Sequence, residues 1–251
     1  MRSWAVPSTR FIAPRSPRKH NQGIILQSSD PRWSDVDAYI VEHLIGEDRA
    51  LEACLRANAA AGLPPIDVSP PQGRLLELMA RAVQAKHVLE IGTLGGFSAI
   101  CLARGLGQGG RLTTLELEPR YAEVAQANID KAGQGDRVDI RVGDACQSLE
   151  QMLHQDIVPF DMVFVDADKQ SYAVYLDYAV RLSRPGALLI FDNVVREGDV
   201  INPASTDPKV PGTRALYEAL HDHPKIDATA IQTVGAKKWD GFLMAVIDKE
   251  E

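Results

Sequence analysis

Apolar positions along this chain switch between helical stripes and short strand-length runs, and the pattern sets in near residue 34. Val36, Tyr39, Ile40, His43 and Leu44 share one helical face. Ser34, with Asp37 three residues on, reads as the N-cap in a capping-box arrangement. A second helix is predicted over Asp48–Ala61, stopped by Gly62-Leu-Pro-Pro, and a third over Gln72–Gln84, opened by Pro70-Pro71. From His87 onward apolar runs alternate with helical stretches. Strands are predicted at His87–Ile91, Arg111–Leu117, Val138–Val142, Asp161–Val165 and Ala187–Phe191. Helices fall between them at Phe97–Leu106, Tyr121–Ala132, Ser148–His154 and Tyr172–Leu182, the last closed by Arg184-Pro-Gly186. After a long loop and a helix at Thr213–His221, two strand-like runs remain, Asp227–Thr233 and Phe242–Ile247. The loop Gly235–Gly241 would join them as an antiparallel hairpin. This β-α-β-α order predicts an α/β fold with a doubly wound parallel sheet. Residues 31–251 are enough for a single domain, with N-terminal helices (31–85) along one edge.

The first 30 residues do not follow this pattern. Met1–His20 holds Arg2, Arg10, Arg15, Arg18 and Lys19 and no acid. It reads as a disordered basic extension or the product of an upstream start codon. An organelle transit peptide is the other reading, opposed by the prolines at 7, 14 and 17, which break the amphipathic helix such a signal needs.

Composition narrows the function classes. Apolar residues make up 45% and charged residues 24%, as in ordinary water-soluble domains. A net charge of −7 argues against a nucleic-acid partner held by phosphate neutralisation. No apolar run reaches the roughly 20 residues that span a bilayer, so no membrane partner is expected. Cys54, Cys101 and Cys146 show no zinc-like spacing and sit among apolar residues. They read as reduced core thiols, which implies a reducing, cytoplasmic setting. His43, His87, His154, His221 and His223 show no metal-ligand spacing either.

The candidate chemistry gathers at strand ends, where open α/β sheets bind ligands. The run Asp161–Val165 ends in Asp166-Ala-Asp168-Lys169, and the run Ala187–Phe191 ends in Asp192-Asn193. If these strands are neighbours, Asp166, Asp192 and Asn193 converge as hard oxygen donors suited to Mg²⁺, Mn²⁺ or Ca²⁺, with Lys169 beside them. Earlier, Glu90-Ile-Gly92-Thr-Leu-Gly95-Gly96-Phe-Ser98 is a strand, a glycine turn and a helix start. Glu116, at the end of the next strand, stands where a carboxylate can accept both hydroxyls of a ribose. Glu90 beside the turn would repel a pyrophosphate but not a sulfonium cation. Asp144-Ala145 falls where an adenine edge could lie.

Together the glycine turn, Leu115-Glu-Leu-Glu-Pro119, Val165-Asp-Ala-Asp-Lys169, Asp192-Asn193 and Asp240-Gly241 resemble the cation-dependent O-methyltransferases. This is the family of caffeoyl-CoA and catechol O-methyltransferases and their bacterial relatives. The resemblance covers roughly residues 33–248. It implies a seven-stranded, mostly parallel sheet with an antiparallel last strand, S-adenosylmethionine as methyl donor, and a divalent cation. By motif position Glu90, Gly92, Thr93 and Ser98 would line the methionine and ribose side, and Glu116 would hold the ribose. Ala145 would lie near adenine and Asp168 near the methionine amino end. Val68 stands where a relative has Thr, so only its backbone can serve. Asp166, Asp192 and Asn193 match the metal ligands, and Lys169 matches the lysine proposed as general base. The implied acceptor is a small aromatic with adjacent hydroxyls, and the implied assembly is a homodimer through the N-terminal helices.

The long loop Val194–Gly212 would form a lid, with Arg196 and Glu197 facing the acceptor. Trp239, in the hairpin loop, could reach the acceptor but reads first as a packing residue. Other classes stay open from the residues alone. An NAD(P)-dependent oxidoreductase fits the strand-glycine-helix-strand-acid layout but not the missing GxGxxG. A nucleic-acid methyltransferase of the same fold and a non-catalytic cofactor-binding module are the others.

Overall fold

The central strands are apolar on both faces because helices cover both sides of the sheet there, whereas the edge strands are largely exposed. The computed structural model describes residues 30–248, so residues 1–29 and 249–251, and with them nearly all of the expected N-terminal extension, lie outside the described residues. Three helices come first: α1 (Pro31–Ile40), continued by a wider turn over Val41–Ile45, then α2 (Arg49–Ala60) and α3 (Pro70–Ala82). The alternating unit follows as β1 (His87–Ile91), α4 (Phe97–Gly105), β2 (Arg111–Glu116), α5 (Pro119–Lys131), β3 (Val138–Val142) and α6 (Ala145–Leu153). It continues as β4 (Phe160–Val165), α7 (Tyr172–Leu182), β5 (Ser183–Asp192), α8 (Val210–Leu220), β6 (Ile226–Gly235) and β7 (Lys238–Ile247).

The seven strands form one sheet in the order β3-β2-β1-β4-β5-β7-β6. β1 through β5 pair in parallel, and β7 runs antiparallel to both β5 and β6. The expected topology is therefore the observed one. Strand order reverses between β1 and β4, which opens a crevice at their carboxyl ends. There the Asp166 N–H donates to the Ile91 carbonyl at 2.9 Å, binding the exit of β4 to that of β1.

Side chains alternate between the two faces with period two. Leu89, Ile91, Val163, Val165, Leu189 and Phe191 pack under α6, α7 and α8. Val88, Met162, Phe164, Leu188 and Ile190 pack against α2, α3, α4 and α5. Burying each such side chain fully stabilises the fold by about 1.5–3 kcal/mol before entropy is counted. Cys54 and Cys101 are buried and Cys146 is half-buried, all as free thiols. No helix among the described residues is long and apolar enough to cross a membrane.

Three expectations need correction. The N-cap of α1 is Asp30, whose side chain accepts from the Arg32 N–H, not Ser34. Arg184-Pro-Gly186 does not precede β5 but lies within it, beside a register shift between Phe160 and Met162. Arg184 Nε donates to Asp161 Oδ1 at 2.6 Å, which holds that irregular stretch on the sheet. Trp239 is not in a loop: the hairpin turn is only Ala236-Lys237, and Trp239 pairs with Val234.

Candidate active site

Gly92 follows β1 with φ 101°, a left-handed region that favours glycine. A Cβ there would fall 2.2 Å from the Asp166 carbonyl oxygen, so the two chain exits can meet only over a glycine. The following turn is held by Glu116. Its Oε2 accepts from the N–H groups of Thr93 and Leu94 at 3.2 and 2.8 Å, and its Oε1 from the Glu118 N–H at 2.9 Å. An ionised carboxylate has about four acceptor positions, so capacity for a further donor remains.

A buried polar network braces the same turn from behind. Asn128 Nδ2 on α5 donates to the Gly95 carbonyl and to Asn58 Oδ1 on α2, both at 2.9 Å. Asn58 Nδ2 donates to Asp67 Oδ1 at 2.8 Å, and a Cβ on Gly95 would overlap the Asn58 amide. Both asparagines are buried. The sequence reading missed them, although both stand on otherwise apolar helix faces, Asn58 four residues after Cys54 and Asn128 three after Ala125. A polar residue on a buried stripe needs partners, and that was the available signal.

Asp166 and Lys169 leave β4 together, with Lys169 Nζ donating to Asp166 Oδ1 at 2.7 Å. Lys169 is only 4% exposed, and its Nζ lies 4.9 Å from the centre of the Tyr172 ring. The Tyr172 hydroxyl donates to the Asp192 carbonyl oxygen at 2.7 Å, tying the start of α7 to the end of β5. Asp192 is buried; burial first, and then the charge of Asp166, push its carboxyl up to about 7, against the pull of Lys169. Asn193 takes a left-handed φ of 56°, and its N–H donates to Asp192 Oδ1. Asp240 on β7 fixes the chain beyond: its Oδ1 accepts from the N–H groups of Val195, Arg196 and Gly241.

These groups meet in two adjoining cavities. One, of about 390 Å³, is lined by Val68, Gly92, Thr93, Ser98, Asp166, Lys169, Asp192 and Asn193. The other, of about 280 Å³, is lined by Glu116, Ala145 and Asp168, with Tyr121 and Tyr175. Gly92, Leu94, Asp166 and Ala167 form part of both walls. Asp168 is oriented by Tyr175, whose hydroxyl donates to its Oδ1 at 2.6 Å, and by Ser171. Glu90 lines neither cavity. It is fully buried, accepts from Thr114 Oγ1 at 2.6 Å, and keeps Oε1 without a partner. Burial pushes its carboxyl up to about 8. Arg196 also lines the larger cavity, whereas Glu197 pairs outside it with Lys238.

No three His, Cys, Asp or Glu side chains cluster as a metal-holding group among the described residues. The candidate set is two carboxylates and an amide, Asp166, Asp192 and Asn193, all on one cavity wall. A carboxylate pushed toward neutrality by burial, and next by a second carboxylate, is a place where a hard cation fits in charge and donor type.

A sheet of this order with β7 reversed, a glycine turn after β1 and an acid ending β2 defines the Rossmann-like methyltransferase class. An O-methyltransferase family model matches residues 41–244. The chain is 49% identical over 217 residues to the catechol O-methyltransferase of Mycobacterium tuberculosis, covering 86% of this chain and 97% of the relative. The O-methyltransferase from Bacillus cereus, solved in complex with SAH, is similar with a TM-score of 0.85 at 50% identity, covering 86% of this chain and 99% of that one. TomG from Streptomyces achromogenes, an O-methyltransferase involved in tomaymycin synthesis and solved in complex with SAM, gives 0.84 at 44% identity, covering 87% and 98%. The chain belongs to the O-methyltransferase family. That membership removes the oxidoreductase reading.

Proposed function

We propose that this chain methylates one hydroxyl of a vicinal dihydroxyaromatic small molecule, using S-adenosylmethionine and a divalent cation, Mg²⁺ before Mn²⁺ or Ca²⁺. The observation that carries it is one cavity wall shared by Asp166, Asp192, Asn193 and Lys169 beside the glycine turn. The methyl donor's part is supported by relatives solved with SAM and SAH.

When bound, S-adenosylmethionine supplies an activated methyl group, and a divalent cation supplies charge that favours an ionised acceptor hydroxyl. Asp166, Asp192 and Asn193 are the residues that would hold the cation. Lys169 is the base that takes the hydroxyl's proton at Nζ, and Asp166 Oδ1 aims it. Tyr172 holds Lys169 from below and excludes water there. Glu116 receives a ribose hydroxyl at its remaining acceptor position, and Ala145 borders the adenine. Asp168, in the smaller cavity with Glu116 and Ala145, faces the ribose and adenine rather than the methionine amino end expected for it; Gly92, Thr93, Ser98 and the Val68 backbone line the methionine side. Glu90 acts from beneath, through Thr114, as a support to this wall.

Methyl transfer to a panel of vicinal dihydroxyaromatics, run with Mg²⁺ and with EDTA, tests the proposal. Monomethyl product only with the cation is expected; product that ignores EDTA, or none from any diol, contradicts it. A homodimer is part of the same proposal. No residue from Pro31 to Ile45 is buried, and Val36, Tyr39 and Leu44 are exposed. Light scattering at the monomer mass would remove the dimer.

A further inference from the structure

Arg196 follows β5, Lys209 precedes α8 and Lys237 forms the β6–β7 turn, yet all three line the cavity that holds Asp166 and Asp192. Their charges are only partly compensated. Arg196 Nη2 pairs with Asp207 at 2.8 Å, while its buried Nε has no partner. Lys237 Nζ donates to a neutral acceptor, the Pro65 carbonyl, at 3.1 Å. The Lys209 side chain makes no hydrogen bond or ion pair among the described residues, and the nearby Asp207 is already paired with Arg196. Asp67 lines the same cavity, where it accepts from Asn58 and its charge also acts on Lys237, although the two form no ion pair. Lys169 is paired with Asp166 and Arg196 with Asp207, so Lys209 and Lys237 are the cations of this cleft without an ion pair among the described residues.

Resting on the acceptor class proposed above, we infer that the natural acceptor is a dihydroxyaromatic bearing a carboxylate, held by Lys209 and Lys237 while its diol faces Asp166 and Asp192. A lysine ammonium without a carboxylate partner of its own can pair with a carboxylate that a ligand brings. Each exposed lysine would contribute about two- to fivefold, the scale of a solvent-exposed ion pair.

The test compares kcat/KM for 3,4-dihydroxybenzoate, catechol and 3,4-dihydroxyphenethylamine at low and high salt. Wild type should favour the benzoate over the amine, and salt should shrink the ratio. Lys209→Ala and Lys237→Ala should each lower that ratio about two- to fivefold, and Lys209→Glu should move it further toward the amine. Both lysines are exposed, so folding is not at stake. Equal use of the three acceptors, or a ratio that the substitutions leave unmoved, overturns the inference while leaving the diol chemistry standing. Methylation of none of them overturns the acceptor class and this inference together.

Discussion

Lys169 Nζ stands 2.7 Å from Asp166 Oδ1, two residues of one short turn delivered together to the switch point of the sheet. The lysine is nearly sequestered from water while its carboxylate partner is half-buried and lines both cavities. Lys169→Met keeps the length of the side chain and removes its base. Turnover should fall by ~10²-fold or more, the scale of general-base loss, with S-adenosylmethionine affinity retained. Single-turnover kinetics beside calorimetric cofactor binding checks this; turnover near wild type would take Lys169 out of that role.

Asn128→Ala should reach the cofactor turn without touching any ligand. It strips the donor from Asn58 Oδ1 and weakens the hold on Gly95, deep in the protein. A buried acceptor left bare costs about 1–3 kcal/mol. Thermal unfolding should drop by several degrees, and S-adenosylmethionine affinity should weaken more than acceptor affinity. An unchanged melting temperature would show that the network carries no load.

Glu90 gives the ligand-free protein a pH signature. Its carboxyl titrates near its ordinary 4.5 when unfolded and at about 8 when folded, because burial disfavours the charge. Between these values the native state binds more protons than the unfolded state, so stability falls as pH rises from about 4.5 to 8. Asp192, raised to about 7, adds a slope of the same sign. Glu90→Gln stays neutral and should flatten the decline without abolishing it. Melting temperatures across pH for both proteins decide the point; identical slopes would contradict it.

Much of this was legible in the sequence where the cause is local. The strand runs ending in Asp166-Ala-Asp168-Lys169 and Asp192-Asn193 carry their own chemistry, and alternation predicted a parallel sheet, while the pairing of these two strands is seen only in the structure. What stayed hidden depends on partners far along the chain. Asn58 and Asn128 meet across 70 residues. Arg184-Pro-Gly186 looked like a helix stop because Pro and Gly break local structure, but Asp161 on the neighbouring strand holds it in the sheet. Asp30 and Ser34 are both good caps, and nothing in the local pattern chooses between them. Glu90 looked like a cavity residue because it adjoins the glycine turn; the pleat of β1 turns it inward instead.

Arg196, Glu197 and Gly198 all take left-handed backbone angles, and a Cβ on Gly198 would strike the Trp239 ring at 2.8 Å. Gly198→Ala should therefore displace the chain that carries Arg196. Acceptor KM should rise several-fold, and more than the S-adenosylmethionine KM, since Arg196 lines the cavity of Asp166, Lys169 and Asp192 and not that of Glu116 and Ala145. Steady-state kinetics with both substrates varied reads this out; a change confined to the cofactor would contradict it.

The most direct measurement is a calorimetric titration of Mg²⁺ into wild type and Asp192→Ala, each with S-adenosylmethionine and catechol present. Saturable binding at one site in wild type, lost in the variant together with methyl transfer, is the predicted result. Equal Mg²⁺ binding by the two proteins would contradict the assignment of Asp166, Asp192 and Asn193 as the cation's ligands.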